Sequence, residues 1–459
     1  MTRRVVITGA GIISPLADSP AGLHQALCEQ RSARRPIELF PTVGLACRQA
    51  GEIIGFDPHL YPSQIGAGRN LRPLDRTSRL LVVAAGQALA AAGWTEELRR
   101  GEEVGLVLGT TFCSVRTIAE FDRRGLKLGP AHASPFEFAN SVINAAAGQA
   151  AIWYGLRGVN STVAGGEASG LLAIAHAAEL IRSGRSKALL AGGVEELCFE
   201  SFFGFYRAGR LCGSLAPRHD GGNGDGEFPI PFDARRNGFS LAEGAALLML
   251  EEGEAAAERG ARVWAEVLGH GSAFDCGRAP PPAAAPARAG AVARAIRLAL
   301  DDAAIGPAQI GCLSASANGS VTGDRSEALG VAAALGGHAA ELPVAAIKAS
   351  LGEALGASGA FQAVELLSLF ADGVVPGIAG FEEREPAFQL GGAQPRTRRL
   401  EGGGPGRALA TAVGADGQCC AVVFGRSESA GSHPSAGSER AGSLPSAGSE
   451  RAGGKGGAP

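Results

Sequence analysis

Short apolar segments bounded by glycine alternate along the chain with longer segments in which apolar residues recur every three or four positions. The short segments predict buried strands, and the longer, alanine-rich ones predict amphipathic helices. This alternation is typical of an α/β protein. In the first part of the chain the predicted strands lie at 5–8, 104–109, 187–193 and 246–252, and predicted helices lie at 80–92 and 170–183.

A second series of segments follows in a similar order, which favours two copies of one α/β unit. We place the first unit at residues 1–258 and the second at 259–426. A segment rich in proline and alanine, 277–290, predicts an extended, exposed loop. The second series consists of predicted strands beginning at 263, 310 and 419 and of predicted helices at 289–304 and 355–371.

Residues 427–459 differ from the rest of the chain. The sequence PSAGSERAGS at 434–443 recurs almost unchanged at 445–454, and the segment has few residues that could form a core. We interpret it as a disordered tail rich in serine, alanine and glycine.

Composition and charge narrow the classes of function. The 459 residues carry 42 basic and 45 acidic side chains, a net charge of −3, which argues against binding nucleic acid or an anionic membrane through charge. No apolar stretch is long enough to cross a membrane, and no signal peptide is evident. Glycine is abundant, at 69 residues, so tight turns and close backbone contacts are expected.

Cofactors and metals are not expected. The nine cysteines contain no CxxC pair, and we expect them to be reduced, as in the cytoplasm. Gly9 and Gly11 follow the first predicted strand, but Ser14 stands where a dinucleotide-binding fingerprint needs its third glycine.

Residues 161–195 resemble the nucleophile region of the β-ketoacyl-[acyl-carrier-protein] synthases, enzymes of the thiolase fold. In that family a cysteine lies at the start of a buried helix, where unpaired backbone N–H groups and the helix dipole favour an anion. Glu167 occupies the position of this cysteine. The matching motif residues are Ser169, Gly170, Ala191, Gly192 and Gly193.

Three further motifs are similar to those of the same family and follow in its order, so the resemblance extends over residues 3–426. It implies a thiolase-like fold in which two related α/β halves form five layers, αβαβα. The matching residues are 231–233 with 237–239 and 243–245, then Asp324 and Glu327, and then Lys348, Gly352, Gly356, Ala357 and Gly359.

The resemblance also implies that the catalytic set of the family is altered. The family uses a cysteine thiolate and two histidines that stabilise an oxyanion. The first histidine corresponds to Ser316, or to Asn318 if the loop shifts by two residues, and the second corresponds to Glu353. We therefore expect no condensation by this chain alone.

Other positions depart from the family as well. Gln362 replaces the acid that would pair with Lys348, which leaves this lysine to pair with Glu353 or Glu167. Ala415 replaces a gating phenylalanine. Phe112 corresponds to a residue lining the acyl pocket, where its ring could block the tunnel or simply belong to the core.

Substitute catalytic residues are not evident. Cys113 lies near a predicted pocket loop, but it neither begins a helix nor has a histidine motif beside it. His176 lies on the helix after Glu167 and is interpreted as a packing residue. Cys419 and Cys420 lie in a predicted buried strand and are interpreted as structural.

The leading hypothesis is a non-catalytic subunit resembling a chain-length factor of fatty-acid or polyketide biosynthesis, including aryl-polyene systems. Such a subunit would form a heterodimer with an active ketosynthase and meet an acyl carrier protein, although a homodimer remains open.

The alternative is an enzyme with altered acyl-thioester chemistry. Glu167 and Glu353 would be its acid/base pair, one pKa being raised by repulsion if they face each other, with Lys348, Ser316 and Phe239 nearby. A minor alternative is a malonyl-carrier-protein decarboxylase, although that chemistry uses the missing histidines.

Overall fold

The computed structural model describes residues 3–214, 228–276 and 284–427, and it confirms the α/β alternation. The predicted tail therefore lies outside the described residues apart from Ser427. The strands are β1 Val5–Ile13, β2 Arg34–Pro36, β3 Gln49–Gly51, β4 Val104–Gly109, β5 Asn160–Val163, β6 Ala188–Glu195, β7 Gly244–Glu252, β8 Ala265–Phe274, β9 Cys312–Ser314, β10 Val344–Ala345, β11 Val374–Val375, β12 Arg398–Arg399, β13 Arg407–Val413 and β14 Gln418–Arg426.

Helices separate most of these strands. They are α1 Pro20–Cys28, α2 Pro62–Ile65, α3 Arg76–Ala91, α4 Glu96–Gly101, α5 Val115–Leu128, α6 Pro135–Ala139, α7 Ala145–Tyr154, α8 Ser169–Arg182, α9 Phe199–Arg207, α10 Gly253–Glu258, α11 Ala284–Asp302, α12 Val321–Leu335, α13 Lys348–Leu351 and α14 Ser358–Asp372.

Ten strands form one mixed sheet in which each half of the chain supplies five neighbours. Their spatial order is β10-β9-β13-β14-β8 followed by β1-β7-β6-β4-β5. The two groups join where β1 pairs with β8, antiparallel, at Val6 with Glu266 and Ile7 with Ala265. Outward from this junction each group shows the same pattern, with two antiparallel pairings followed by two parallel pairings. The division at residue 258 stays a prediction.

Five layers result from the way helices cover the strands. Helices α8 and α14 contact each other and strands of both groups, so they form the middle layer. Helices α3 and α7 cover the outer face of the first group, and α11 and α12 cover that of the second. Three large apolar clusters fill the spaces between these layers. The predicted αβαβα arrangement is confirmed.

Gly9 and Gly11 serve packing in this fold. Both lie inside β1, and a Cβ atom on them would lie 2.6 Å from the carbonyl oxygen of Ala88 and 2.1 Å from that of Ala84, respectively. These two alanines belong to α3. The glycines therefore allow α3 to approach the strand closely.

Several sequence predictions need correction. Residues 284–290 of the predicted loop belong to α11, because alanine strongly favours helix and Pro286 lies in the first turn, where proline is tolerated. Residues 277–283 lie outside the described part. His176 is exposed rather than packed. Strand β5 escaped prediction because its sequence, NSTV, is polar.

Most of the nine cysteines are buried, including Cys419 and Cys420 on β14. Cys276 is exposed, so burial does not extend to every thiol. Within the described ranges, no helix is long and apolar enough to cross a membrane.

A buried imidazole ties α1 to α14. His24 Nδ1 lies 2.7 Å from the Glu365 carboxylate, and Nε2 lies 2.9 Å from that of Asp372. Burial disfavours the charged imidazole, but the Glu365 carboxylate outweighs it and raises the pKa of His24 to about 11. The folded chain therefore keeps a proton that the unfolded chain loses above its ordinary pKa of 6.5.

A Gly193→Ala substitution should destabilise the protein by about 2 kcal/mol or more, because overpacking forces the backbone to shift. The added Cβ would lie 2.2 Å from the carbonyl oxygen of Gly356. Gly148→Ala is the control, since nothing lies within 4 Å of its Cβ position inside α7. It should be neutral or stabilising. Urea unfolding midpoints measure both, and equal midpoints would contradict the packing argument.

A His24→Gln substitution should cost about 3 kcal/mol near pH 7, because it leaves Glu365 buried without its cation. The stabilisation from His24 is fully present below pH 6.5 and is lost as pH rises toward about 11. The loss amounts to at most about 1.4 kcal/mol per pH unit. The difference in unfolding free energy between wild type and variant should therefore shrink from pH 7 to pH 10. A constant difference would refute this assignment.

Candidate functional site

A tight turn between β5 and α8 presents Glu167. Gly166 has a φ of +55°, a conformation that favours glycine, and a short 3₁₀ turn, Gly166–Ala168, leads directly into α8. The Ser169 hydroxyl fixes this turn, because it accepts from the N–H of Gly165 at 2.9 Å and contacts the carbonyl of Gly166 at 2.7 Å. Glu167 thus lies at the N-terminal end of α8, as the sequence predicts.

The Glu167 carboxylate is buried and bound from two sides. Arg210 Nη2 donates to Oε1 at 2.8 Å, and the N–H of Ala415 donates to Oε2 at 3.0 Å. Burial alone would favour the protonated acid, but the Arg210 charge and these hydrogen bonds outweigh it and hold the pKa of Glu167 below its ordinary value. Glu167 is therefore an anion with its oxygens engaged.

Two aromatic rings hold Arg210 in place. Its guanidinium carbon lies 5.1 Å from the ring centroid of Phe205 and 5.2 Å from that of Phe239. Phe239, a predicted site residue, therefore contacts the site through Arg210. Sequence reasoning missed Arg210, and it expected Lys348 or the helix dipole to compensate Glu167. Arg210 belongs to no motif, and only the fold brings it to Glu167.

Glu353 has a separate and complete set of partners. Lys348 Nζ and Asn318 Nδ2 donate to Oε2 at 2.8 and 2.7 Å. The N–H of Leu355 and the hydroxyl of Ser358 donate to Oε1 at 2.9 and 2.6 Å. Apart from Asn318, these residues all lie within 348–358. Of the two partners predicted for Lys348, the structure brings Glu353 to it.

Ser316 and Gln362 bind backbone groups. The N–H of Ser316 donates to Glu327 at 2.7 Å, and its hydroxyl accepts from the N–H of Val413 at 3.0 Å. Gln362 Nε2 donates to the carbonyls of Ser314 and Thr411. Asn318, rather than Ser316, contacts Glu353. The shifted alignment therefore places a polar side chain beside Glu353.

Glu195 joins the turn after β4 to the turn before α14. Its buried carboxylate accepts from the N–H groups of Thr111, Phe112 and Cys113 on one side and from that of Gly356 on the other. Burial outweighs these hydrogen bonds and raises the pKa of Glu195 to about 7. The motif residues Gly192 and Gly193 precede Glu195, but no sequence pattern predicted this role.

Phe112 and Cys113 take different positions in this turn. Phe112 is 40% exposed and lies 6.0 Å, between ring centroids, from Phe205. The core interpretation is therefore wrong, and a tunnel-blocking role stays a prediction. Cys113 is buried, and burial raises the pKa of its thiol to about 12, so it is a poor nucleophile.

A small polar cavity of about 60 Å³ lies beside Glu167, Arg210, Ser316 and Ala415. A water molecule needs about 10–15 Å³, so the space suits a few waters. Lys348 lines a different cavity. Among the described residues no group of histidine, cysteine and acidic side chains could hold a metal ion.

The acid/base alternative supposes that Glu167 and Glu353 face each other and that their repulsion raises one pKa. The contacts of Glu167 do not favour it. Each carboxylate has its own cation, Arg210 or Lys348, and the pKa of Glu167 is lowered rather than raised. Such an arrangement binds two anions in place and offers neither a thiolate nor an imidazole at these positions.

Comparisons with known proteins agree with this geometry. The N-terminal domain model of the β-ketoacyl synthases matches residues 2–256, and the C-terminal domain model matches residues 264–382. The chain is 31% identical over 402 residues to 3-oxoacyl-[acyl-carrier-protein] synthase 2 of Synechocystis, covering 87% of this chain and 92% of that protein. It is likewise 31% identical to the oxytetracycline polyketide putative β-ketoacyl synthase 1 of Streptomyces rimosus, covering 84% and 89%.

Solved structures share the whole fold. The ishigamide ketosynthase/chain length factor superposes with a TM-score of 0.82 at 28% identity, covering 93% of this chain and 100% of that chain. A type II acyl-carrier protein in complex with its ketosynthase bound to the hexaketide gives 0.80 at 25% identity, with the same coverage. The two domain matches and the two relatives above 30% identity, together with this fold, show that the chain belongs to the β-ketoacyl synthase family.

Proposed function

We propose that this chain is a non-catalytic, chain-length-factor type of subunit that pairs with an active β-ketoacyl synthase in fatty-acid or polyketide biosynthesis. The observation that carries this proposal is the bound carboxylate of Glu167 at the N-terminus of α8, where the resemblance places the nucleophilic cysteine. An acyl group transferred to a carboxylate would give a mixed anhydride, which water destroys readily. No stable acyl intermediate is expected there.

The surroundings of Glu167 support the same conclusion. Ser316 and Glu353 stand where the resemblance places histidines, and the Glu353 anion would repel a developing oxyanion. Loss of one oxyanion-hole donor typically costs about 100- to 1,000-fold in rate. Loss of two donors and the thiolate together would leave ordinary condensation undetectable.

An uncovered apolar face supports a partner. Helix α5 has no buried residue, and its Leu126 is 87% exposed. Phe138 and Val142 are exposed nearby in sequence, and β5 forms the outer end of the sheet, pairing only with β4 among the described strands. Exposed apolar residues and an unpaired strand edge are each typical of a surface that another chain covers.

The structural neighbours suggest the identity of the partners. One is named as a ketosynthase/chain length factor, and another contains an acyl-carrier protein with its ketosynthase. We therefore propose an active ketosynthase as the heterodimer partner and an acyl carrier protein as the carrier of the growing chain. We also propose a cytoplasmic location, which suits a chain with nine cysteines and no CxxC pair.

Co-expression with an intact ketosynthase encoded beside it should give a heterodimer and restore chain elongation. Size-exclusion chromatography and product analysis measure these outcomes.

The isolated chain should release no carbon dioxide from malonyl-carrier protein. A stable homodimer that binds no ketosynthase would contradict the proposal, and turnover by the isolated chain would favour the acid/base or decarboxylase alternative. Glu167→Gln should then abolish that turnover, whereas a partner subunit should tolerate the change.

Arg210→Met should destabilise the chain by about 2 kcal/mol at pH 7, because it leaves the Glu167 anion buried without its cation. The same change in a Glu167→Gln background should cost clearly less, since the charge is absent. Urea unfolding of the four proteins gives the coupling energy. A coupling near zero would show that Arg210 does not compensate Glu167.

A further inference from the structure

Four arginines surround one open pocket on the outer side of the first half. Arg69, Arg99, Arg100 and Arg157 line it, together with residues of α2 and the end of α7. The pocket has a volume of about 440 Å³ and shares no lining residue with the cavity beside Glu167. The proposed partner function makes no use of it.

Two of these arginines are held in place by neighbouring aromatic rings. The Arg69 guanidinium lies 5.0 Å from the ring centroid of Trp153 and donates to the Trp153 carbonyl. Arg99 lies 5.8 Å from the ring centroid of Tyr154, and its Nε donates to the Tyr154 carbonyl at 3.2 Å. Ordered guanidinium groups lose less side-chain entropy when they bind a ligand.

The two rings are themselves anchored. Trp153 Nε1 donates to the carbonyl of Ile65 at 3.0 Å, and the Tyr154 hydroxyl donates to the carbonyl of Val82 at 2.7 Å. These contacts connect the pocket wall to α2 and α3. Arg69 and Arg99 therefore contact rings that are themselves fixed to the fold.

The pocket carries an excess of positive charge. Its one acidic lining residue, Glu96, pairs with Arg100 at 2.7 Å. Within the described ranges, Arg69, Arg99 and Arg157 have no carboxylate within ion-pair distance, although Arg157 Nη2 donates to the Arg100 carbonyl at 3.3 Å. Four guanidinium groups and one carboxylate leave a net charge of +3 at the pocket.

Arg99 is affected by burial and, to a smaller extent, by the charge of Arg69. Burial lowers the pKa of Arg99 and the positive charge of Arg69 lowers it further, while Tyr154 and Glu96 act in the opposite direction. Gathering like charges in this way is unfavourable without an anion. A bound anion would relieve the repulsion.

We propose that this pocket binds a small molecule carrying a pyrophosphoryl or similarly multiply charged phosphoryl group. Planar guanidinium groups form paired hydrogen bonds with phosphoryl oxygens, and each has five N–H donors. A net charge of +3 matches an anion of two to four negative charges better than a single carboxylate. The volume lies within the range of about 300–1,000 Å³ typical of small-molecule sites.

Titration calorimetry of the full chain with inorganic pyrophosphate in 150 mM salt tests this site. We expect saturable binding of one pyrophosphate per chain, and weaker binding of inorganic phosphate. Arg157→Gln and Arg69→Gln should each weaken pyrophosphate binding by about tenfold, the size of one charge-assisted hydrogen bond.

Arg297→Gln is the matched control. Arg297 is also exposed and donates to a backbone carbonyl, that of Ala333, but it lies on α11 and does not line the pocket. This variant should bind pyrophosphate as the wild type does. The proposal is overturned by the absence of saturable binding, by equal affinity for phosphate and pyrophosphate, by unchanged binding in Arg157→Gln, or by an equal loss in Arg297→Gln. None of these results depends on whether the chain pairs with a ketosynthase.

Discussion

The arrangement of the middle layer depends on the close contact between the turns that precede α8 and α14. A Cβ atom on Gly193 or Gly170 would lie only 2.2 or 2.7 Å from the carbonyl oxygen of Gly356, so side chains larger than glycine do not fit without movement. The buried Glu195 carboxylate accepts from the N–H groups of Thr111 and Gly356, so it joins the turn after β4 to the turn before α14. The turn that carries Glu167 therefore contacts the turn that follows Glu353.

Charge compensation explains how two carboxylates occupy that buried region. An unpaired buried charge is costly, and each glutamate has acquired a cation and further hydrogen-bond donors. Glu167 is held by Arg210 and the Ala415 N–H, and Glu353 by Lys348 and its neighbours. The result is a site of the β-ketoacyl synthase fold in which both carboxylates serve as acceptors in closed networks.

Most apolar side chains are buried between the layers, but some are exposed at the surface. The middle layer is covered on both sides by strands, whereas α5 and α6 retain exposed leucine and phenylalanine side chains. The arginine-lined pocket, by contrast, is polar. An apolar face suits a protein partner, and a cationic pocket suits a small anion.

The sequence by itself determined the α/β class and most strand positions. These features depend on local periodicity and motif spacing, which are carried by neighbouring residues. It also offered two partners for Lys348, Glu353 and Glu167, and Glu353 lies only five positions away in the chain. The sequence pattern did not predict β5, because this strand is polar and pairs only at the edge of the sheet. It also predicted a loop at 284–290, where the alanines instead favoured a helix.

Only the tertiary structure decided which charges meet. Arg210 lies 43 residues from Glu167 and Ala415 lies 248 residues away, so no local pattern connects them. The ionisation of Glu167 depends on that meeting, because burial alone would favour the neutral acid. The same holds for the pocket arginines, which come from segments as distant as residues 69 and 157. Electrostatic environment is a property of three-dimensional distance, and a sequence specifies it only through the fold.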